Sequence, residues 1–305
     1  MKHLASSVTP FIDKKFIREK VLSALNEDFA FEDITSNGIF DSPLLVTAKI
    51  VARENGILCG LDFAKESFFA LDAGCRINAD YKDGDAFQKN DPVLTIESDA
   101  NSVLKAERTA LNFLSFLSGI STQTANHCKK GDQYSLGILD TRKTIPLHRL
   151  LSKYAVLCGG GINHRLHLAD MGMIKDNHIA FCGSLEKAIL KFRQANPQKP
   201  LEVEVENLEN LNIALENEVD GILLDNMDRK NLRSASKYIK KWMQKNPDRK
   251  HPLFYEASGG FHLGNIRKLK GLGIPLVSLS TITMQFKSIN FSLDVQEKKA
   301  EISEH

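Results

Sequence analysis

Two adjacent cations, Arg142 and Lys143, close the apolar run in "GILDTRKTIP" (residues 137–146), flanked by Asp140, Thr141 and Thr144. Fixed positive charge at the end of a strand costs least where an anion binds. More cations follow at His164 and Arg165 in "GGGINHR" (159–165) and at Lys175 in "MIKDNHI", with Arg108 in the segment 101–118. The three glycines let backbone approach a ligand closely. An arginine fork grips a carboxylate or phosphate through two parallel bonds, whereas a lysine acts as a point charge. These types and spacings predict a local cationic pocket for an anion.

Acids stand opposite: Glu202 and Glu204 in "LEVEVE", Asp225 in "ILLDN", and Asp140. If "LEVEVE" is a strand, its period of two puts Glu202 and Glu204 on one face. Carboxylates gathered at strand ends can hold ribose hydroxyls, or a magnesium ion that also touches substrate phosphates. In "YEASGGFHLGNI" (255–266), Ser258, Gly259 and Gly260 follow a strand and precede a helix. A hydroxyl, two glycine amides and a helix N-terminus make a phosphate cradle. In barrels such a cradle follows the last two strands, where "EASGG" and "SLSTIT", with Ser278 and Ser280, fall.

The elements that must carry these residues are legible downstream of residue 135. Short apolar runs recur: "LGILDTRK", "GMIKDNHI", "LEVEVEN", "GILLDNM", "LFYEASGG" and "PLVSLSTIT". Their polar ends fall near positions 140, 175, 204, 225, 256 and 278. The spacing, about 20 to 35 residues, is that of successive βα units in a parallel sheet or barrel. Ligands in such folds sit at the carboxyl ends of the strands. An α/β barrel with one functional mouth is therefore expected.

Upstream, the pattern is mixed. Residues 15–29 put Phe16, Val21, Leu22, Leu25 and Phe29 on one helical face, 45–54 reads as a strand and 61–72 as a helix. Residues 83–98 read as a strand pair. Residues 101–118 read as a helix capped by Asn101, with a stripe through Val103, Leu104, Ala110, Leu111 and Leu114. Trp242 is expected in the core, and the charged tail from Asp294 to His305 as a frayed helical end.

The 305 residues are 42% hydrophobic and 26% charged, as in a soluble globular protein. Formal net charge is +2, from 40 basic and 38 acidic side chains, which argues against nucleic acid as a partner. No apolar run approaches the roughly 18–20 residues that span a bilayer. The stretch "MKHLASSVTPFIDKKF" lacks the long apolar core of a secretory signal. Five cysteines (Cys59, Cys75, Cys128, Cys158, Cys182), odd in number and without a CxxC pair, suit reduced thiols. A cytoplasmic enzyme is expected. Cys158, His164 and His167 offer a weaker, metal-binding alternative, with adjacent Arg165 opposing a cation.

The motifs taken together resemble the quinolinate phosphoribosyltransferase family. The matching stretches are "EDITS" (32–36), "ARENGILCG" (52–60), "ERTALNFLSFLSGIST" (107–122), "DTRKT" (140–144), "KYAVLCGGGINHR" (153–165), "IKDNHI" (174–179), "EVEVEN" (202–207), "LLDNM" (223–227) and "EASGG" (256–260). The resemblance implies an N-terminal α/β sandwich domain (1–118) and an open, TIM-like α/β barrel of about six strands (119–290). A C-terminal tail (291–305) would pack back on the N-terminal domain. It implies a homodimer or hexamer with shared active sites, in which the sandwich of one subunit covers the barrel mouth of the other.

The implied reaction joins quinolinate and phosphoribosyl pyrophosphate to give nicotinate mononucleotide, pyrophosphate and CO2, with Mg²⁺ as cofactor. Quinolinate would be held by Arg108, Arg142, His164, Arg165 and Lys175, with Arg53 reaching across the subunit boundary. The phosphoribosyl side would use Lys143, Glu204, Asp225, Ser258, Gly259 and Gly260, with Ser278 and Ser280 nearby. Glu204 and Asp225 would hold the magnesium, directly or indirectly. The pocket is expected to be cationic and to contain no general base. Three positions depart from the family's glycines: Leu147, His167 and Ser280. His127, His148, His178, His251 and His262 receive no role.

Overall fold

The computed structural model describes residues 8–249 and 252–296, so the N-terminal seven residues, His251 and the tail beyond Gln296 lie outside the described residues. The chain forms two compact units. Among the described residues, one comprises Val8–Ala125, Leu150–Gly160 and 286–296; the other comprises Asn126–Arg149 and Gly161–Gln285. In chain order the elements are α1 (Lys14–Glu27), α2 (Ile34–Ile39), β1 (Leu45–Ala52), β2 (Gly56–Ile57), α3 (Leu61–Phe69), β3 (Arg76–Asn78), β4 (Ala86–Phe87), β5 (Pro92–Asp99) and α4 (Ala100–Asp132). They continue as β6 (Gly137–Leu139), α5 (Arg149–Cys158), β7 (Gly172–Ile174), α6 (Asp176–Cys182), α7 (Leu185–Ala195), β8 (Leu201–Val205), α8 (Leu208–Glu216) and β9 (Gly221–Asp225). The last are α9 (Arg229–Lys245), β10 (Phe254–Ser258), β11 (Leu276–Ser278), α10 (Thr281–Met284) and β12 (Phe291–Gln296).

The first unit is built on an antiparallel sheet ordered β12-β1-β5-β3. Alternation along β1 buries Val46, Ala48 and Ile50 on one face, against Phe68 of α3 and Val103, Ala106 and Ala110 of α4. Helix α1 buries Ile17, Val21 and Leu25 at i, i+4, i+8, and Asp13 caps it by accepting the Phe16 N–H at 2.7 Å. Phe29 lies beyond that helix at φ 51° and is 69% exposed, so the expected apolar face stops at Leu25.

Three expectations change here. Residues 83–98 are no hairpin: β4 pairs with β2, and β5 with β1 and β3. Helix α4 starts before Asn101, which is therefore not its cap, and runs on to Asp132. Its second half is rich in hydroxyls and glycine, a poor helix composition. Tertiary contacts compensate: Ser121 Oγ donates to the Ile57 carbonyl at 2.7 Å, and Thr122 Oγ1 accepts the Ile57 N–H at 2.8 Å. At Gly119 an added Cβ would lie 2.6 Å from the Lys287 carbonyl, so only glycine admits that approach. Finally, residues 291–296 form a strand. Phe291, Leu293 and Val295 alternate along it, and it pairs with β1 from Ala52↔Phe291 to Thr47↔Gln296.

In the second unit six parallel strands, ordered β6-β11-β10-β9-β8-β7, form the sheet of an open α/β barrel. Strands β8 and β9 are buried on both faces, as parallel strands covered by helices require. Ser184, Asn207 and Asp228 cap α7, α8 and α9 by accepting the N–H three residues on. Trp242 is half-buried with Arg249 over its ring at 5.5 Å, a surface stack in place of the expected core position.

Candidate active site

The carboxyl ends of the barrel strands open on one cavity of about 680 Å³. Strand β6 leads into Thr141, Arg142 and Lys143; β7 into Lys175; β8 carries Glu204; β9 ends in Asp225 and Asn226. Strand β10 ends in Ser258 and turns through Gly259 and Gly260, while β11 supplies Ser278 and then Ser280. His164 and Arg165 come from a segment that docks on β6 through the single parallel bridge Leu139↔Ile162.

Asp140 makes that docking specific. It is fully buried, accepting the Asn163 Nδ2–H at 2.7 Å and the His164 backbone N–H at 2.8 Å. It is therefore a brace beneath the mouth and not one of the acids facing ligand. His164 Nδ1 accepts the Arg165 N–H at 2.7 Å, which leaves the ring proton on Nε2. That nitrogen lies 3.0 Å from Glu202 Oε2 and 3.8 Å from Glu256 Oε1, and all three side chains are buried. Glu202 thus sits two residues deeper than Glu204, about 7 Å along the strand.

The cations repel one another. Arg142 is lowered in pKa by burial and then by Arg149, and its Nε is buried without a hydrogen-bond partner among the described residues. Arg165 is lowered by burial and then by Arg142; its Nη1 donates to the Met171 carbonyl at 2.9 Å. An anion settling between two such guanidiniums relieves both. Lys175 Nζ is paired with Glu204, whose carboxyl is raised chiefly by burial, against Lys175 and with help from Asp225. At the opposite wall Gly259 has φ 98°, and an added Cβ would lie 2.2 Å from Asn226 Oδ1; Gly260 has φ 64° with open space around it. Both glycines line the cavity in the left-handed region, a backbone conformation that a phosphate-cradling turn can use.

Residues 33–118 match the quinolinate phosphoribosyl transferase N-terminal domain, and residues 120–294 match the C-terminal domain of the same family. The chain belongs to the quinolinate phosphoribosyltransferase family. It is 36% identical over 282 residues to the nicotinate-nucleotide pyrophosphorylase [carboxylating] of Mycobacterium leprae, covering 91% of this chain and 96% of the relative. It is 38% identical over 279 residues to the probable enzyme of that name from Bacillus subtilis, covering 91% and 93%. The solved nicotinate-nucleotide pyrophosphorylase of Francisella tularensis superposes with a TM-score of 0.86 at 36% identity, covering 93% of this chain and 98% of the other.

Within this quinolinate phosphoribosyltransferase barrel, twelve of the fourteen residues that the resemblance assigns to the substrates line one cavity: Arg142, Lys143, His164, Arg165, Lys175, Glu204, Asp225, Ser258, Gly259, Gly260, Ser278 and Ser280. Arg53 and Arg108 belong to the other unit. There Arg53 donates to both oxygens of Asp294 at 2.6 and 2.8 Å, and Arg108 is exposed on α4. Asn226, Glu256 and His262 also line the cavity wall, although sequence reading assigned none of them a role. Glu256 had a signal, since alternation along β10 puts it on the same face as Ser258; His262, on a turn, had none. His178 has a structural task, its Nδ1 accepting the Lys175 N–H at 3.1 Å.

The departures from the family's glycines separate physically. Leu147 is held at φ 65°, the conformation glycine tolerates, and is 87% exposed. Ser280 has an ordinary φ of −76°, and His167, with Nε2 3.2 Å from Asp170 Oδ1, is not among the positive-φ residues, so neither position demands glycine here. The metal-binding alternative separates as well. Cys158 lies with Cys59 and Asp83, whereas His164 lies with Glu202 and Glu256.

Proposed function

We propose that the protein transfers the phosphoribosyl group of phosphoribosyl pyrophosphate to quinolinate with decarboxylation. The products are nicotinate mononucleotide, pyrophosphate and CO2, in de novo NAD biosynthesis. The observation that carries this reading is the convergence of Arg142, Arg165 and Lys175 with Lys143, Glu204 and Asp225 in one cavity. A doubly anionic aromatic acid answers the first set and an activated sugar phosphate the second. Arg142 and Arg165 would grip the quinolinate carboxylates with bidentate geometry, and Lys175 would turn from Glu204 to add a third contact. The ring nitrogen then attacks the anomeric carbon while pyrophosphate leaves, and Lys143 stabilises the charge growing on it. Ser258, Gly259 and Gly260 would cradle phosphate, with Ser278 and Ser280 beside them. Stripping water from the carboxylate next to the ribosylated nitrogen favours its loss as CO2.

Glu204 and Asp225 fit a magnesium ion: both are carboxylates on the same cavity, and their mutual repulsion contributes to the raised pKa of Glu204. When bound, the ion would neutralise pyrophosphate charge. The two remaining arginines, Arg53 and Arg108, would enter the pocket of a second subunit, making the enzyme a homodimer or larger assembly with shared sites. This reading keeps a sandwich domain to residue 118 and a barrel domain to 290. The five cysteines are free thiols, which supports a cytoplasmic setting; among the described residues no helix is long and apolar enough to cross a membrane. Assaying the pure protein with phosphoribosyl pyrophosphate and either quinolinate or nicotinate tests the assignment. Turnover of quinolinate alone is expected; turnover of nicotinate alone refutes it.

A further inference from the structure

Loss of CO2 from a ribosylated quinolinate leaves an electron pair on the ring carbon beside the nitrogen. That carbon must take up a proton before nicotinate mononucleotide can leave. The arginines of the mouth cannot supply it, because guanidinium does not deprotonate in proteins. Lysines that gave up a proton would lose their hold on the anion. A protonated side chain on the cavity wall is a ready donor.

Glu256 is such a group. It points inward from the middle of β10, lines the cavity two residues below Ser258, and is fully buried. The titratable and polar groups around it are Glu202 from β8, His164 from the segment docked on β6, Asp140 at the end of β6 and the Ser278 hydroxyl from β11. His164 Nε2 lies 3.0 Å from Glu202 Oε2 and 3.8 Å from Glu256 Oε1, so the two acids share one imidazole edge. Two buried carboxyls facing a single N–H are not both anionic without great desolvation cost. Burial first, then the charge of Glu202, push the Glu256 carboxyl up to about 8; His164 and Ser278 oppose that rise and Asp140 adds to it. The protonated form of Glu256 is thus favoured at neutral pH, on the wall of a cavity that also carries Arg142, Lys143, Arg165 and Lys175.

We propose that Glu256 delivers the proton to the ring carbon after decarboxylation, with Glu202 and His164 as positioning residues that hold it on the wall. This rests on the reaction assigned above. The bond from ring carbon to carboxylate breaks and its electron pair stays on the carbon as CO2 departs. That pair takes the proton of the Glu256 carboxyl, leaving a carboxylate, and water entering as CO2 leaves restores the proton. One proton is drawn from solvent per turnover.

The test is the full-length Glu256→Gln enzyme, which keeps the shape and neutrality of the protonated acid but has no proton to give. Pyrophosphate release and nicotinate mononucleotide formation are followed separately in single turnovers, from about pH 6 to 9.5. The first is expected within about threefold of the parent, and the second slowed by about 100-fold or more. In the parent, mononucleotide formation should fall on an alkaline limb near pH 8 that is absent from the variant. Mononucleotide formation at the parental rate, an alkaline limb that persists in the variant, or equal slowing of both products overturns the proposal. Should Glu256→Gln not fold, a parent profile flat through pH 8 overturns it and a limb there supports it. A parent that releases no pyrophosphate from the two substrates refutes the assigned reaction instead.

Discussion

Asp140 Oδ1 accepts the backbone N–H of His164 at 2.8 Å, tying the end of β6 to a segment 24 residues further along the chain. The other oxygen holds Asn163 at 2.7 Å, and the carboxylate is fully buried. Asp140→Ala removes both charge-assisted bonds and strands their donors. We expect a loss of about 2–3 kcal/mol in urea denaturation and a fall in kcat/KM as His164 and Arg165 lose their seat. Asp140→Asn, which retains one acceptor, should recover part of each. An alanine variant as stable as the parent would show that the brace carries nothing.

Arg142 is expected to behave oppositely. Its neighbours Arg149 and Arg165 repel it, so Arg142→Ala should leave the melting temperature of the ligand-free protein unchanged or slightly higher. Quinolinate kcat/KM should fall on the order of 10²–10³-fold, and the thermal upshift produced by quinolinate should disappear. Parental turnover by this variant would place the acid elsewhere.

Leu147 occupies a left-handed conformation with its side chain 87% exposed, so no packing offsets the strain. Left-handed backbone costs a non-glycine residue about 1–2 kcal/mol, and glycine loses part of that gain through its freer unfolded chain. Leu147→Gly should stabilise the protein by roughly 0.5–1 kcal/mol, about 2 °C in melting temperature for a chain of this size. Calorimetry showing destabilisation would contradict the strain.

Gly259 and Gly260 should differ although both have positive φ. Alanine at 259 drives a Cβ into Asn226, at 2.2 Å from Oδ1 and 2.8 Å from the backbone nitrogen, whereas alanine at 260 meets nothing within 4 Å. Gly260→Ala should therefore cost about 1 kcal/mol of stability with little change in kinetics. Gly259→Ala should displace the turn and raise the KM for phosphoribosyl pyrophosphate by about tenfold or more. Equal effects on KM would mean that the turn does not meet the phosphate.

Local chemistry explains which features could be read from sequence. The six barrel strands announce themselves because each apolar run ends in groups that make sense only at a shared mouth, as at "DTRK" and "IKDN". The second half of the strand Phe291–Gln296 falls in the expected frayed helical end, Asp294–His305, because its charged C-terminal neighbours mask a short period-two pattern. Helix α4 runs past residue 118 against its composition, because the tertiary partner of Ser121 and Thr122, the Ile57 backbone, is not visible in the local sequence.

By itself the sequence determined the class of chemistry: cations and acids at fixed offsets from strands can come together in a parallel barrel in few ways. Position in depth was decided by tertiary structure. Asp140 became a brace, Glu202 sank beneath Glu204, and the Glu256 carboxyl was pushed up by burial and by Glu202, because desolvation and distances of about 3 to 4 Å between residues remote in sequence set those states. Such distances arise when strands close into a barrel, and no local pattern encodes them.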